Sequence, residues 1–173
     1  MDNIIDCIRE RRSVRSYETR AVPKEKLLLM LEAGNAAPSG KNGQPWRYTV
    51  IQDHKALREQ IAELTVYRRW VRTAPCLIVI WLDLSASYDA FKDAMALGAC
   101  IQNILLAAAA QGLGCCWLGE ILAKKVEIKA LLDAGPTLEP VAVLTVGYPA
   151  APASVTNRRQ VRDNLFCSDQ ICD

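Results

Sequence analysis

A chain of 173 residues with 51% hydrophobic and 23% charged side chains is long enough and apolar enough for one domain with its own core. Its formal net charge of +2 excludes capture of nucleic acid or a membrane surface by bulk charge alone. One histidine and seven cysteines without a Cys-x-x-Cys pair leave little for a His-based metal site or a Ser-His-Asp triad, and buried reduced thiols in a cytoplasmic protein are the expectation.

The chain opens Met-Asp-Asn without a basic leader, so no signal peptide is expected. Ile4, Ile5, Cys7 and Ile8 make a short amphipathic helix that ends in the basic run Arg9 to Arg12. Ser13 to Tyr17 reads as extended. Pro23 sits near a first helical turn, and Leu27, Leu28 and Leu31 carry that helix to about Asn35. Ala37 to Pro45, with its prolines, glycines, serine and asparagine, is a loop. Trp46 to Gln52 alternates as a strand, Lys55 to Leu64 is a helix, and Tyr67 to Arg72 mixes basic and aromatic residues. Pro75 to Leu82 is a strand buried on both faces.

Ala94 to Ala110 carries no charge, and its only polar side chains are Gln102 and Asn103. A helix that is apolar on every side has to be buried on every side. Its 17 residues cover about 25 Å, short of a membrane span, so a soluble core helix with part of its cover from a second subunit is expected. Gln111-Gly112-Leu113-Gly114 closes it, and Cys115 to Leu118 is a short buried strand. Lys124 to Leu132 is a helix stopped at Gly135-Pro136, and Pro140 to Gly147 is another buried strand. A loop after Pro149 leads to a basic tail through Arg158, Arg159 and Arg162. Strands interleaved with helices, without repeats or a linker, give one domain of α/β or α+β class.

Polar groups concentrate in a few places. Arg11, Arg12, Ser13 and Arg15 suit a phosphate, because guanidinium groups bind it by paired, charge-assisted hydrogen bonds; a solvated helix end or a nucleic-acid patch is the plainer alternative. Pro38-Ser39-Gly40-Lys41-Asn42-Gly43-Gln44-Pro45-Trp46 offers amide and hydroxyl groups to the edge of a flat heteroaromatic ring, or is an ordinary stiff turn. Asn157-Arg158-Arg159 alone reads as a solvated tail. Gly112 to Gly119 lacks the Gly-x-Gly-x-x-Gly spacing and follows a helix instead of a strand, the reverse of a dinucleotide fingerprint.

Taken together, these stretches resemble the nitroreductase family of FMN-dependent oxidoreductases. Arg11-Arg12-Ser13-Val14-Arg15-Ser16-Tyr17 is similar to its N-terminal phosphate motif, and Ala37-Pro38-Ser39-Gly40-Lys41-Asn42-Gly43-Gln44-Pro45-Trp46-Arg47-Tyr48 to its flavin loop. Gln102-Asn103, Gly112 to Gly119, Val146-Gly147-Tyr148-Pro149 and Arg158 follow in the family's order.

The resemblance implies an α+β fold, a three-layer α/β/α sandwich with a mixed, mostly antiparallel sheet. It implies an intertwined homodimer of single domains (1–173), with the tail from about 150 wrapping the partner. Arg11, Arg12, Ser13 and Arg15 would hold the FMN phosphate and ribityl chain, with Arg158 and Arg159 approaching the same phosphate. Pro38, Ser39, Asn42 and Gln44 would reach the flavin from the other subunit, and Leu118 and Gly119 would line its ring. NADH or NADPH would reduce the flavin, and a small nitroaromatic, quinone or similar electrophile would then take the electrons at the same site, by a ping-pong mechanism. No side chain is expected to act as a catalytic acid or base, and no metal, nucleic acid or membrane is expected to take part. A reductive dehalogenase, a flavin-degrading enzyme and a non-catalytic flavin-binding redox sensor are the alternatives. The central helix would sit at the dimer interface, so that a charge at Leu105 or Ala108 would cost dimerisation and cofactor together.

Overall fold

The computed structural model describes residues 3–166. Asn3 caps the first helix, α1 (Ile4–Glu10), by accepting from the Ile5 N–H. Helix α2 (Lys24–Asn35) starts directly after Pro23, whose fixed φ suits a helix entrance. Strand β1 (Trp46–Ile51) leads to α3 (Lys55–Glu63), which His54 caps by accepting from the Leu57 N–H at its Nδ1. The lone histidine is therefore a helix cap.

Tyr67 to Arg72, left without an element in the sequence reading, belongs to a short helix, α4 (Arg68–Thr73). Strand β2 (Cys76–Asp83) follows, then α5 (Ala90–Ala110), β3 (Gly114–Leu118), α6 (Lys125–Leu131) and β4 (Leu138–Gly147). The sheet order is β1-β2-β4-β3, and every strand pairing is antiparallel. A parallel bridge between Ser13 and Cys115 makes the arrangement mixed, as expected.

Alternation along the two central strands builds the layers. Ile78, Ile80, Ala142, Leu144 and Val146 face one way and pack on α2 and α5. Leu77, Val79, Trp81 and Val143 face the other way and pack on Ile61 of α3, Val71 of α4 and Ile128 of α6. This is the α+β sandwich. Five cysteines of the described residues (Cys7, Cys76, Cys100, Cys115 and Cys116) are buried free thiols. Cys167 and Cys172 lie outside the described residues.

The central helix departs from expectation in two ways. It begins at Ala90 instead of Ala94, because Asp89 caps it through the Lys92 N–H. At 21 residues it is long and apolar enough to cross a membrane, so length does not exclude that; its inner face packs into the core against α2 and the sheet, as a core helix does. Its incomplete burial within one chain is no departure, since part of its cover was expected from a second subunit. Leu97, Cys100, Ile101, Ile104, Leu105 and Ala108 are inside, whereas Phe91 is 76% and Met95 56% exposed. Leu105 and Ala108 therefore serve the chain's own core, and a charge at either would break the fold before it reached any interface.

Candidate functional site

The first basic stretch is shaped by the end of α1. A helix leaves its last carbonyls without partners. Arg12 supplies them from its side chain: Nη1 donates to the carbonyls of Arg9 at 2.5 Å and Arg11 at 2.9 Å. The backbone then runs beside β3, with the Val14 N–H donating to the Cys115 carbonyl at 2.9 Å. Along this extended strip Val14 turns inward and Arg15 outward. The Arg15 guanidinium lies 4.9 Å from the centre of the Trp70 ring, a cation–π distance. Burial pushes the neighbouring Cys116 thiol above its ordinary value, opposed by the charges of Arg15 and Arg11.

Arg11 and Arg12 line a cavity of about 790 Å³ whose other walls include Tyr148, Pro149 and Ala150 to Ala153. Glu10 and Glu18 also border it. Ser13 and Arg15 line an adjoining cavity of about 190 Å³, closed by Ala151 to Ser154. The four residues of the phosphate reading thus share one edge of the molecule, covered by the start of the tail. Arg158 and Arg159 are exposed and line neither cavity.

The second stretch is a built loop. The Ser39 carbonyl accepts from the Asn42 N–H at 3.0 Å, and the Ser39 Oγ from the Gln44 N–H at 3.0 Å. Lys41, Asn42 and Gln44 have φ of 54°, 54° and 46°, the left-handed region that non-glycine residues avoid. Such conformations cost about 1–2 kcal/mol each and persist where the surroundings impose them, as at ligand sites. The loop's far end is fixed through Trp46, whose Nε1 donates to Asn35 Oδ1 at 2.9 Å. Arg47 donates to the Gln44 carbonyl at 3.3 Å and pairs with Asp83 at 2.7 Å. Hydrogen bonding by Ser85, with help from Arg47, holds the Asp83 carboxyl below its usual range. The side chains of Asn42 and Gln44 stay exposed.

No residue from Pro38 to Gln44 lines either cavity beside Arg11 to Arg15, so neither cavity holds both motifs. Leu118 is 2% exposed at the end of β3, and its side chain is part of the core; only its backbone is available to a ligand. Gly119 is exposed, and a Cβ there would meet nothing within 4 Å. Nothing among the described residues requires glycine at that position.

Some residues around these motifs were given no role from sequence. Trp70 stacks on Tyr67 with ring centres 4.2 Å apart and lies under Arg15. Their spacing of three on a short helix was the available signal. Thr65 Oγ1 donates to Glu120 at 2.7 Å and accepts from the Tyr67 N–H at 3.1 Å, tying this aromatic pair to the turn after Gly119. Tyr88 underlies Gly40 in the loop.

The sequence model of the nitroreductase family matches residues 8–66 and 62–148. A crystal structure from Desulfovibrio desulfuricans, of a protein described as a nitroreductase in complex with FMN, is 39% identical and superposes with a TM-score of 0.92 over 97% of this chain and 98% of the other. A protein of Methanothermobacter thermautotrophicus described as an NADH dehydrogenase/NAD(P)H nitroreductase is 34% identical over 86% of this chain and 78% of its own length. An iodotyrosine deiodinase of Thermotoga neapolitana is 29% identical over 96% of this chain and 100% of its own length.

Proposed function

The chain belongs to the nitroreductase family, and on that footing we propose that it is an FMN-dependent oxidoreductase passing electrons from NADH or NADPH to small electrophilic acceptors such as quinones and nitroaromatics. The cavity beside Arg11 and Arg12 carries this reading, on a chain that matches a relative crystallised with FMN along 97% of its length. At about 790 Å³ it is within the range of cofactor pockets.

The residues fit the group. Arg11, Arg12 and Arg15 offset phosphate charge, with Ser13 as a hydroxyl donor. Arg12 contributes from its remaining nitrogens, since Nη1 is engaged by the helix end. Gly119 offers an open backbone against which a flat ring can lie. Asn42 and Gln44, already held in shape, present donors and acceptors to a ring edge. When bound, FMN supplies the electron transfer itself, and the chain binds, orients and shields it. No side chain is assigned as a catalytic acid or base.

That neither cavity holds both motifs supports a homodimer whose site takes Arg11 to Arg15 from one subunit and Pro38 to Gln44 from the other. The exposed Phe91 and Met95 of α5, with Ile4, Ile5 and Ile8 of α1, supply an apolar surface for the second copy. The tail from about 150 would wrap the partner and bring Arg158 or Arg159 to the phosphate. The buried free thiols fit a reducing, cytoplasmic setting.

Initial rates with NADH or NADPH and a quinone, each varied against the other, test the proposal. Parallel double-reciprocal lines are expected from one site used in turn; FMN-loaded protein without acceptor-dependent turnover would sink it. The full-length match to a deiodinase favours deiodination as a second reading, distinguished by release of iodide from an iodinated tyrosine.

A further inference from the structure

The loop that carries Ser39, Asn42 and Gln44 packs against an aromatic ring at Gly40. A Cβ at Gly40 would lie 2.1 Å from the Oη of Tyr88, 2.4 Å from its Cε1 and 2.6 Å from its Cζ. Gly40 is not among the residues with positive φ, so it is the tyrosine ring, not the backbone conformation, that fills the space a side chain would take there. The next residue also holds the ring, with Lys41 Nζ 4.8 Å from its centre. Lys92, from the first turn of α5, lies 5.4 Å from the same centre. Gly43 packs less tightly against the same segment, its Cβ position 3.2 Å from the Ala86 carbonyl.

Tyr88 is itself anchored. The Asp93 carboxylate accepts from Ser87 Oγ at 2.6 Å, from the Tyr88 N–H at 3.0 Å and from the Asp89 N–H at 3.1 Å. Asp93 is 1% exposed, so the segment that bears Tyr88 is fastened to a buried carboxylate in the first turn of the central helix. A loop with left-handed non-glycine residues needs such outside constraint to keep its shape.

We propose that Tyr88 is a positioning residue for the cofactor: its ring, seated against Gly40 on a backbone fastened through Asp93, holds Ser39, Asn42 and Gln44 in the geometry that meets the flavin. The inference rests on the assignment of that loop to FMN. Tyr88 touches the loop and acts through it.

The test is FMN titration of the apo full chain, read by flavin fluorescence and by the visible spectrum of the bound flavin. Tyr88→Ala is expected to weaken FMN binding about tenfold or more and to shift the bound spectrum, while Tyr88→Phe, which keeps the ring, restores both. Should alanine fail to fold by circular dichroism, Tyr88→Leu gives the same readout. Gly40→Ala should weaken binding in the wild-type background, yet cost less than about twofold more when the ring is already gone. Unchanged affinity and spectrum in Tyr88→Ala, or an equal cost of Gly40→Ala with and without the ring, would overturn the proposal. A wild-type chain that binds no FMN would overturn the flavin assignment and this inference with it, whereas wild-type binding with an indifferent Tyr88→Ala overturns the seat alone.

Discussion

The Oη of Tyr17 lies 2.6 Å from the Oγ1 of Thr145 and donates to the Val14 carbonyl, also at 2.6 Å. Thr145 is fully buried on the central strand β4, and Tyr17 follows directly on the strip that carries Ser13 and Arg15. One phenol thus fastens the strip from Ser13 to Arg15 to the middle of the sheet. Tyr17→Phe leaves a buried hydroxyl and a carbonyl short of a partner, and should cost about 1–3 kcal/mol in urea unfolding. Loss of stability without any loss of FMN affinity would mean that the strip keeps its place without this bond.

Arg11 and Arg12 are not equivalent. The Arg12 side chain caps α1, whereas Arg11 has its whole side chain for the cavity. Arg11→Ala should weaken FMN by roughly 1.5–3 kcal/mol, the worth of a hydrogen bond to a charged group, with little change in unfolding midpoint. Arg12→Ala should lower both. Titration of FMN and urea unfolding on the two variants separate these roles.

Gly119 gives the reverse kind of test. An added methyl meets nothing within 4 Å among the described residues, and its backbone lies at ordinary φ. Gly119→Ala should therefore leave apo stability within about 0.5 kcal/mol, yet weaken FMN if the ring packs there. Equal FMN affinity in the variant would move the ring elsewhere.

The Asp93 carboxyl sits below its usual range, chiefly because Ser87 donates to it, with the Asp89 and Tyr88 N–H groups adding to the effect. A depressed folded value means that its contribution is present above the unfolded carboxylate value near 4 and is lost as pH falls through the folded one. Thermal unfolding of wild type should therefore weaken below about pH 4 more steeply than that of Asp93→Asn, which starts lower and has no charge to lose there. Parallel curves for the two proteins would remove Asp93 from the acid transition.

Much of this was legible in the sequence. Pro75 to Leu82 and Pro140 to Gly147 read as strands because a run buried on both faces has no polar phase to confuse it. The loop at Ala37 to Pro45 was legible from its prolines and glycines, and its order of amides carried the family resemblance. Its seat on Tyr88 was not, because a contact between a glycine and a distant aromatic leaves no local pattern. The start of α5 was misplaced because Asp89, Lys92 and Asp93 look like solvent-facing charges, whereas Asp89 caps the helix and Asp93 is buried by its hydrogen bonds. The helix's inward face was also hidden, since a segment apolar all round has no moment to set its phase. Leu105 and Ala108 proved to be core, and Met95 outward.

Met95 is accordingly the position at which to test the second subunit. Met95→Glu should fold, shift the chain toward monomer and lower its flavin content together. A desolvated, unpaired carboxylate costs a few kcal/mol, enough for at least about a tenfold weaker dimer. Light scattering with flavin absorbance on the same column reads both. A Met95→Glu monomer that keeps full FMN would break the link between assembly and cofactor.

The most direct test of the central claim is the visible spectrum of the FMN-reconstituted protein, followed without oxygen through successive additions of NADH or NADPH and then a quinone. Bound oxidised flavin should bleach on the first addition and recover on the second. A chain that takes up no FMN, or whose bound FMN neither nicotinamide bleaches, would contradict it.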